Sequence, residues 1–511
     1  MGADISRRGF LAAGAVSAAS LGVAGVALAS EDTAWDAEYD VIVVGAGGAG
    51  LTAAITVAEE GNGATCLLLE KCETPSGNTP YALGYVLYAD DKEPVKSYLD
   101  QLIGDATPSD VIDAFVEGLA ENRSWITSVG ADEADMFFVE PNTSYPGEYP
   151  EFENAGSVGM FGFTGANGGA AHIQNFLFDA AMERGIDYKP STAFEEFVQD
   201  GETGAIEGVV AGGKRYRATK GVIMCCGGFE SDPDMINTYM GVKGAVPLAG
   251  AGNTGDGHRA CIKVGADMWH MYGGALFWMG CRNLENTAFL SHVWNFDNKR
   301  WGIVIGVNGR RFYMDWDGCA ITPTDTGADM SLNVGFRHGI TQFGGNWAHL
   351  SLPETAWYVF DAEGLSNGAI PADISSDPVG EGWAYQAESI EELAGLIGVP
   401  AEELSKTVDA WNASCDAGED LAFYRPAESL NRVATGPFYA MRCTPTVLNT
   451  DGGARRDAAA RILDPFGKPI PHLYSAGEFG SVWGHLYQGA GNLGECLAFG
   501  RIAARSALAE A

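Results

Sequence analysis

An α/β fold organised on a parallel βαβ unit is what this sequence predicts, and three observations carry it. A run of β-branched residues, Val41-Ile42-Val43-Val44, enters the glycine-rich turn Gly45-Ala46-Gly47-Gly48-Ala49-Gly50. That turn opens a helix of small residues, Leu51 to Ala58. A second apolar strand, Thr65 to Leu69, then ends in Glu70, about twenty residues past the last glycine.

These are the parts that a dinucleotide needs. Gly45 permits the tight turn, Gly47 lets backbone N–H groups approach a pyrophosphate, and Gly50 lets helix and strand pack closely. Gly48 and Ala49 then stand at the positive end of a helix, where unpaired N–H groups point outward. Glu70, followed by Lys71, would hold the ribose hydroxyls. The alternative for the same residues is a buried βα unit with incidental glycines.

At 511 residues the chain exceeds one ordinary core, so two or more domains are expected. Hydrophobic content of 46% with 19% charged residues describes a globular protein. A net charge of −36 excludes nucleic acid and anionic lipid surfaces as partners. It suits either solubility or docking to a basic protein.

Residues 1–29 read as a twin-arginine signal peptide. Ser6-Arg7-Arg8-Gly9-Phe10-Leu11 precedes a weakly apolar Ala/Gly/Ser stretch that ends in Ala27-Leu28-Ala29, a small-residue cleavage site. The twin-arginine translocase exports folded proteins, which fits a chain that takes up its cofactor before export. The mature protein is expected to begin near Ser30 and to work outside the cytoplasmic membrane, in the periplasm or an equivalent space. A retained single anchor is the weaker alternative, because the stretch is glycine-rich. Ten cysteines form no CxxC, haem or iron–sulfur spacing, so neither a metal centre nor a structural disulfide is expected. Cys225-Cys226, at the end of an apolar strand, read as buried packing.

Further along, Thr74-Pro75-Ser76-Gly77-Asn78-Thr79 is a polar loop able to lie along a cofactor. Residues 94–130 have helical spacing, with Val111, Phe115, Leu119 and Trp125 as core. Phe161 to His172 reads as a glycine–aromatic loop before another helix, and residues 194–220 read as a β-meander. A second buried strand, Gly221 to Cys226, ends in Gly227-Gly228-Phe229, and Asn253-Thr254-Gly255-Asp256-Gly257-His258 opens a helix. From 270 to 435 the βα rhythm is lost, which predicts an inserted domain. From 436 to 511 it returns, with a strand ending in Ser475-Ala476-Gly477-Glu478. His485-Leu486-Tyr487-Gln488-Gly489-Ala490-Gly491 and a helix from about Asn492 to Ala509 follow.

Taken together, these motifs resemble the flavoproteins of the fumarate reductase, succinate dehydrogenase and 3-ketosteroid dehydrogenase superfamily. The resemblance rests on the glycine turn with Glu70, Ser76-Gly77-Asn78-Thr79, Gly227-Gly228-Phe229, Thr254-Gly255-Asp256-Gly257, Asn308-Gly309-Arg310-Arg311-Phe312, and Gly477-Glu478 with the final helix. It implies a Rossmann-like FAD-binding domain split in sequence into 35–269 and 436–511. An α+β capping domain, 270–435, is inserted between the two parts. The FAD-holding set becomes Gly45, Gly47, Gly48, Ala49, Gly50, Glu70, Lys71, Gly77, Asn78, Thr79, Gly227, Gly228, Asp256, Glu478, Asn492 and Leu493.

Departures from the family narrow the reading. Succinate dehydrogenase-type members attach FAD through a histidine in the loop near Ser76. Gly77-Asn78 stand here, so FAD is expected to be non-covalent. Dicarboxylate reducers place an arginine beside the final glycines, whereas Tyr487 stands here. The pattern is similar to that of ketosteroid dehydrogenases, in which such a tyrosine and the second glycine's amide, here Gly491, hold a substrate carbonyl. Family members deliver the proton from an arginine in the cap. Arg337, followed by His338, is the candidate, with a structural donor role as the alternative. His485 would position substrate or complete the donor set, unless it is a core hydrogen-bonding histidine, and Tyr487 would otherwise be a packed phenol. Glu495 suits the final helix's dipole yet opposes a neighbouring flavin anion, and the sequence offers no account of it.

The function expected is an exported FAD-dependent reductase of a carbonyl-conjugated C=C bond in an enone, an enoate or a steroid-like acceptor. Electrons would come from a separate cytochrome or quinol-linked membrane donor, as in anaerobic respiration. Two rivals stand beside it, a ketosteroid-type dehydrogenase running in reverse and a flavin carrier without its own substrate. A pure carrier has no need of a closing cap.

Overall fold

The structure, a computed structural model, describes residues 34–82, 84–143, 147–164, 170–248, 250–285, 299–315, 340–343, 346–349, 352–370 and 375–510. The expected export signal and the candidate pair Arg337-His338 lie outside these residues.

β1 (Ala37–Val44) runs through the glycine turn into α1 (Gly48–Glu60), and the chain returns along β2 (Cys66–Leu69). The two strands are parallel, Val41 pairing with Cys66 and Val44 with Leu69. Gly45 has φ +105°, and a Cβ at Gly50 would overlap the Gly45 carbonyl oxygen. Two of the three glycine roles read from the sequence, those of Gly45 and Gly50, are therefore present.

A second layer follows, with β3 (Val86–Ala89), α2 (Lys92–Ile103), α3 (Ser109–Val129), β4 (Met136–Val139) and β5 (Val158–Phe163). The helical region expected over 94–130 is two helices, because Pro108 cannot donate to a continuing turn and instead caps the start of the second. Phe161–Phe163, expected in a loop, close β5, where Phe161 pairs with both Val86 and Phe138. α4 (Ala170–Glu183) and β6 (Asp187–Lys189) lead into the meander β7 (Phe194–Gln199), β8 (Ile206–Ala211) and β9 (Lys214–Met224). These three pair antiparallel, as expected for 194–220.

The rest of the chain is β10 (Val246–Pro247), α5 (Asp256–Lys263), β11 (Met268–Trp269), β12 (Gly274–Arg282), β13 (Gly302–Gly306), β14 (Ile340–Phe343), β15 (Asn346–His349), β16 (Ala356–Asp361) and β17 (Ala384–Ala387). Then come α6 (Ile390–Ile397), α7 (Ala401–Ala417), β18 (Phe438–Thr450), β19 (Gly453–Ala454), β20 (Arg461–Leu463), β21 (Pro469–Ser475) and α8 (Gly491–Ala509).

The main sheet has the order β20-β21-β9-β1-β2-β6, with β7 and β8 continuing from β9. β21 lies parallel to β9, Leu473 opposite Val222. The C-terminal segment thus completes a sheet begun more than two hundred residues earlier, and the dinucleotide-binding domain is split in sequence. α8 is buried along most of its length and packs on α1, with Gly500 lying against Ala49 and Thr52.

The second sheet is the cap. β18 is its centre, pairing with β10, β12, β16 and β17, and β13 joins at β16. The cap sheet therefore reaches past the expected bounds of 270–435 at both ends, through Val246–Pro247 and Phe438–Thr450. Nothing in the composition of a buried strand tells which of two sheets it joins. α6 and α7 cover this sheet through Leu393, Leu404 and Trp411, packed on Ile303, Ile305 and Val359. Asp315 sits between Arg311 and Arg425, each at 3.1 Å, and Arg311 also reaches Asp420 at 2.9 Å. Arg311 of the Asn308–Phe312 motif is thus part of a buried cross-link of the cap. Among the described residues no helix is long and apolar enough to cross a membrane.

Candidate active site

α1 begins at Gly47 with no side-chain cap and no acidic residue in its first turn. Its leading amides are thus a positive end left for an anion. Ala46 N donates to Glu70 Oε2 at 3.0 Å, and Cys72 N donates to Glu70 Oε1 at 2.8 Å. The carboxylate at the end of β2 therefore braces the glycine turn, with lone pairs remaining for ribose. Gly48 N donates to Thr79 Oγ1 at 2.9 Å, which draws the Ser76–Thr79 loop over the helix start. Lys71 pairs with Asp256 at 2.6 Å and reaches Thr254 Oγ1 at 2.8 Å, so two residues predicted independently meet.

Asn78 is the hub of the cradle. Its Nδ2 donates to Glu230 Oε1 at 2.6 Å and Glu478 Oε2 at 2.9 Å, while its Oδ1 accepts from Gly250 N at 3.0 Å. Asn492 Nδ2 reaches Glu478 Oε1 at 3.4 Å, and Asn492 Oδ1 is buried with no partner. Burial, with Glu230 and Asp451 nearby, pushes the Glu478 carboxyl well above the usual carboxylate range, and burial raises Glu230 too. Carboxyls raised in this way, with the Asn78 and Asn492 amides, suit the hydroxyls of a ribityl chain, which both donate and accept. Glu230 escaped the sequence reading, although it directly follows the Gly227-Gly228-Phe229 motif.

The final loop carries the expected substrate groups. Tyr487 is buried, its ring edge-on to Trp483 with centroids 5.5 Å apart. Burial, chiefly, pushes its phenol well above the usual range, so it is a protonated donor. Gln488 fixes the loop, because Tyr98 Oη donates to its Oε1 at 2.7 Å and Gly489 N donates to the Glu148 carboxylate. Gly491 corrects the sequence reading. Its amide donates to Gln488 O at 2.9 Å, so it does not face a substrate carbonyl. The residue matters for its missing side chain, since a Cβ there would overlap the Trp483 ring. The donor beside the phenol is Asn492 N, 3.4 Å from Tyr487 Oη, with Leu493 next along the first turn of α8.

His485 is half-buried, and burial lowers its pKa. Across from it the cap contributes His349, at the end of β15, whose two ring nitrogens are buried without a hydrogen-bond partner. Burial and the nearby His485 push His349 down to about 4. Tyr272 packs edge-on against His349 at 5.5 Å and donates to Gly484 O at 2.5 Å, so cap and loop meet here. Nothing in the sequence around Trp347-Ala348-His349 marked it. Trp269 is buried and stacked on His270 at 4.3 Å. The nine described cysteines are free, and burial pushes the Cys226 thiol up to about 12.

Glu495, unexplained by sequence, is paired with Arg456, both side chains fully buried. It also accepts from Ser481 Oγ at 2.6 Å and Val482 N at 3.0 Å, and so holds the turn that leads to Tyr487.

The FAD binding domain family matches residues 40–493 of the sequence. The chain belongs to this family. Among curated proteins it is 28% identical to urocanate reductase of Eggerthella lenta, over 92% of this chain and 75% of that one. It is 27% identical to fumarate reductase (cytochrome) of Shewanella frigidimarina, over 95% and 78%. Among solved structures it resembles 3-ketosteroid Δ1-dehydrogenase from Sterolibacterium denitrificans, with TM-score 0.73 at 22% identity, over 93% of this chain and all of that one. FAD is the cofactor of this family member, which is an FAD-dependent oxidoreductase of the fumarate reductase-like type, acting on CH–CH bonds. The uncapped start of α1 and the Asn78 cradle fit that cofactor. Because Gly77-Asn78 offer no histidine for a covalent bond, acid precipitation is expected to release all flavin into the supernatant, whereas flavin left in the pellet would refute a non-covalent site.

Proposed function

We propose that this protein reduces an alkene conjugated to a carbonyl group in a small organic acceptor. The carrying observation is the buried, protonated Tyr487 phenol beside the start of α8, under a cap that closes through Tyr272 and His349. When bound and reduced, FAD supplies a hydride to the β-carbon. The chain's part is to hold the acceptor's carbonyl oxygen by Tyr487 and to stabilise the charge that develops there with a preorganised donor. His485 and His349 stand near each other as neutral imidazoles, Tyr272 ties the cap to the final loop, and the first-turn amides of α8 favour negative charge.

Urocanate and fumarate reductases among the relatives support reduction, while 3-oxosteroid dehydrogenases stand among them at similar identity and make desaturation the second reading. The discriminating experiment is anaerobic. Viologen-reduced enzyme is expected to be reoxidised by enones, whereas bleaching of oxidised enzyme by saturated ketones would favour the reverse reaction. The export signal at Ser6–Leu11 and the net charge of −36 support work outside the cytoplasmic membrane with a separate, basic cytochrome or a quinol-linked donor. N-terminal sequencing of protein recovered from the periplasm should begin near Ser30, and an intact Met1 on a cytoplasmic protein would refute export.

A further inference from the structure

Cys281 and Cys443 oppose each other in the cap sheet. β12 and β18 run antiparallel, and beyond an irregularity at Phe277–Met279 their register is regular, with Met279 opposite Pro445, Gly280 opposite Thr444 and Cys281 opposite Cys443. Both cysteines are buried in one apolar cluster with Tyr313 and Tyr358, and their sulfurs lie 3.7 Å apart. Directly opposed residues of an antiparallel pair have Cα atoms about 4.5–5.5 Å apart, within the range of about 4.4–6.8 Å that a disulfide accepts. The two strands therefore already stand as a disulfide requires, and only the side chains have to turn.

The two thiols differ. Cys443 is fully buried, whereas Cys281 keeps 9% of its surface. The hydrogen bond between the sulfurs, and then the charge of Lys299, hold the Cys281 thiol below its usual range, while burial pushes Cys443 well above it. Lys299 is itself buried, and its Nζ donates to Met279 O at 3.1 Å, two residues before Cys281 on the same strand. Cys281 is thus the nucleophile of the pair and Cys443 the thiol that follows it.

We propose that Cys281 and Cys443 form an oxidation site, at which a peroxide converts the pair into a disulfide that fastens the cap to itself. In the first step the Cys281 thiolate attacks one peroxide oxygen, the O–O bond breaks, and a sulfenic acid forms. The second oxygen leaves as hydroxide and takes up the proton that Cys281 had released. The Cys443 sulfur then attacks the Cys281 sulfur, the S–O bond breaks, and the oxygen departs as water with the Cys443 proton. Two thiols lose two electrons, and one peroxide becomes two waters.

The cysteines are 162 positions apart. The bond would join β12, by which the chain enters the body of the cap, to β18, by which it returns to the flavin domain. The loop so closed holds β13 to β17 with α6 and α7. A cross-link across so long a loop restricts the unfolded chain strongly, so oxidation stabilises the cap. The proposed place of work outside the cytoplasmic membrane is where disulfides persist, whereas a chain folded before export carries both residues as thiols until then.

The test treats reduced holoenzyme with hydrogen peroxide and reads the products by peptide mass spectrometry. In wild type, the peptides that carry Cys281 and Cys443 should be joined with the loss of two hydrogens, and dithiothreitol should part them again. The oxidised protein should unfold at a clearly higher denaturant concentration than the reduced protein. In Cys443→Ala, oxidation should halt at a sulfenic acid on Cys281, captured by dimedone, with no such rise. In Cys281→Ala, Cys443 should remain a thiol. The half-buried Cys415 of α7 sets the dose, which is raised until that residue is oxidised. If Cys281 and Cys443 of the wild type are then still unlinked, the proposal is overturned. A linked pair that unfolds at the same denaturant concentration as the reduced protein overturns the fastening of the cap.

Discussion

Replacing Tyr487 by Phe is expected to slow turnover by about a hundredfold or more, while FAD stays bound. The substitution removes one oxygen and keeps the ring that packs edge-on to Trp483, so the loop from His485 to Gly491 should hold its course. One tie of that oxygen, from the Asn492 amide at 3.4 Å, is long and weak. Loss should therefore appear in the step where charge builds on the carbonyl, lowering kcat and kcat/KM together. Stopped-flow reoxidation of reduced enzyme measures that step directly. Full turnover in Tyr487→Phe would remove the phenol from the chemistry and leave it as packing.

Tyr487→Phe should slow reoxidation equally across pH, because a phenol raised by burial stays protonated throughout the working range.

The parts legible in the sequence are those in which one short stretch performs a whole physical task. The Gly45–Gly50 turn, with its strand before and helix after, needs no distant partner to be recognised, and Glu70 completes it within one βαβ unit. Asn78, Asp256 and Glu478 were likewise found in local motifs, and the structure brings Asn78 and Glu478 into one cradle. What stayed hidden depends on pairing across long separations. Arg456 has meaning only beside Glu495, and β18 looks like any buried strand until its partners β12 and β16 are known. Gly491 was misread for a related reason. Sequence gives the spacing of an amide from a tyrosine but not its direction, and here Gln488 O claims it. His349 belongs to a segment that meets the final loop, through Tyr272, only when the cap folds over the flavin domain.

Arg456→Met should be the most damaging change away from the substrate. The arginine and Glu495 are both fully buried, and the guanidinium also lies 4.1 Å over the Phe499 ring and donates to Gly477 O at 3.3 Å. Methionine keeps much of the apolar stem but leaves the Glu495 carboxylate without its cation in a water-free site. Stranding one member of a buried ion pair costs roughly 3–5 kcal/mol, which is a large part of a typical domain's stability. The carboxylate also holds Ser481 and Val482, so the damage should pass into the loop that ends at Tyr487 and into α8. Denaturant titration followed by flavin fluorescence should show FAD leaving Arg456→Met at clearly lower denaturant than wild type. Adding Glu495→Gln should recover part of the loss, because a neutral amide oxygen still accepts from Ser481 or Val482 without leaving a bare charge. If Arg456→Met releases FAD at the wild-type denaturant concentration, the pair is not what fixes the final helix beneath the flavin.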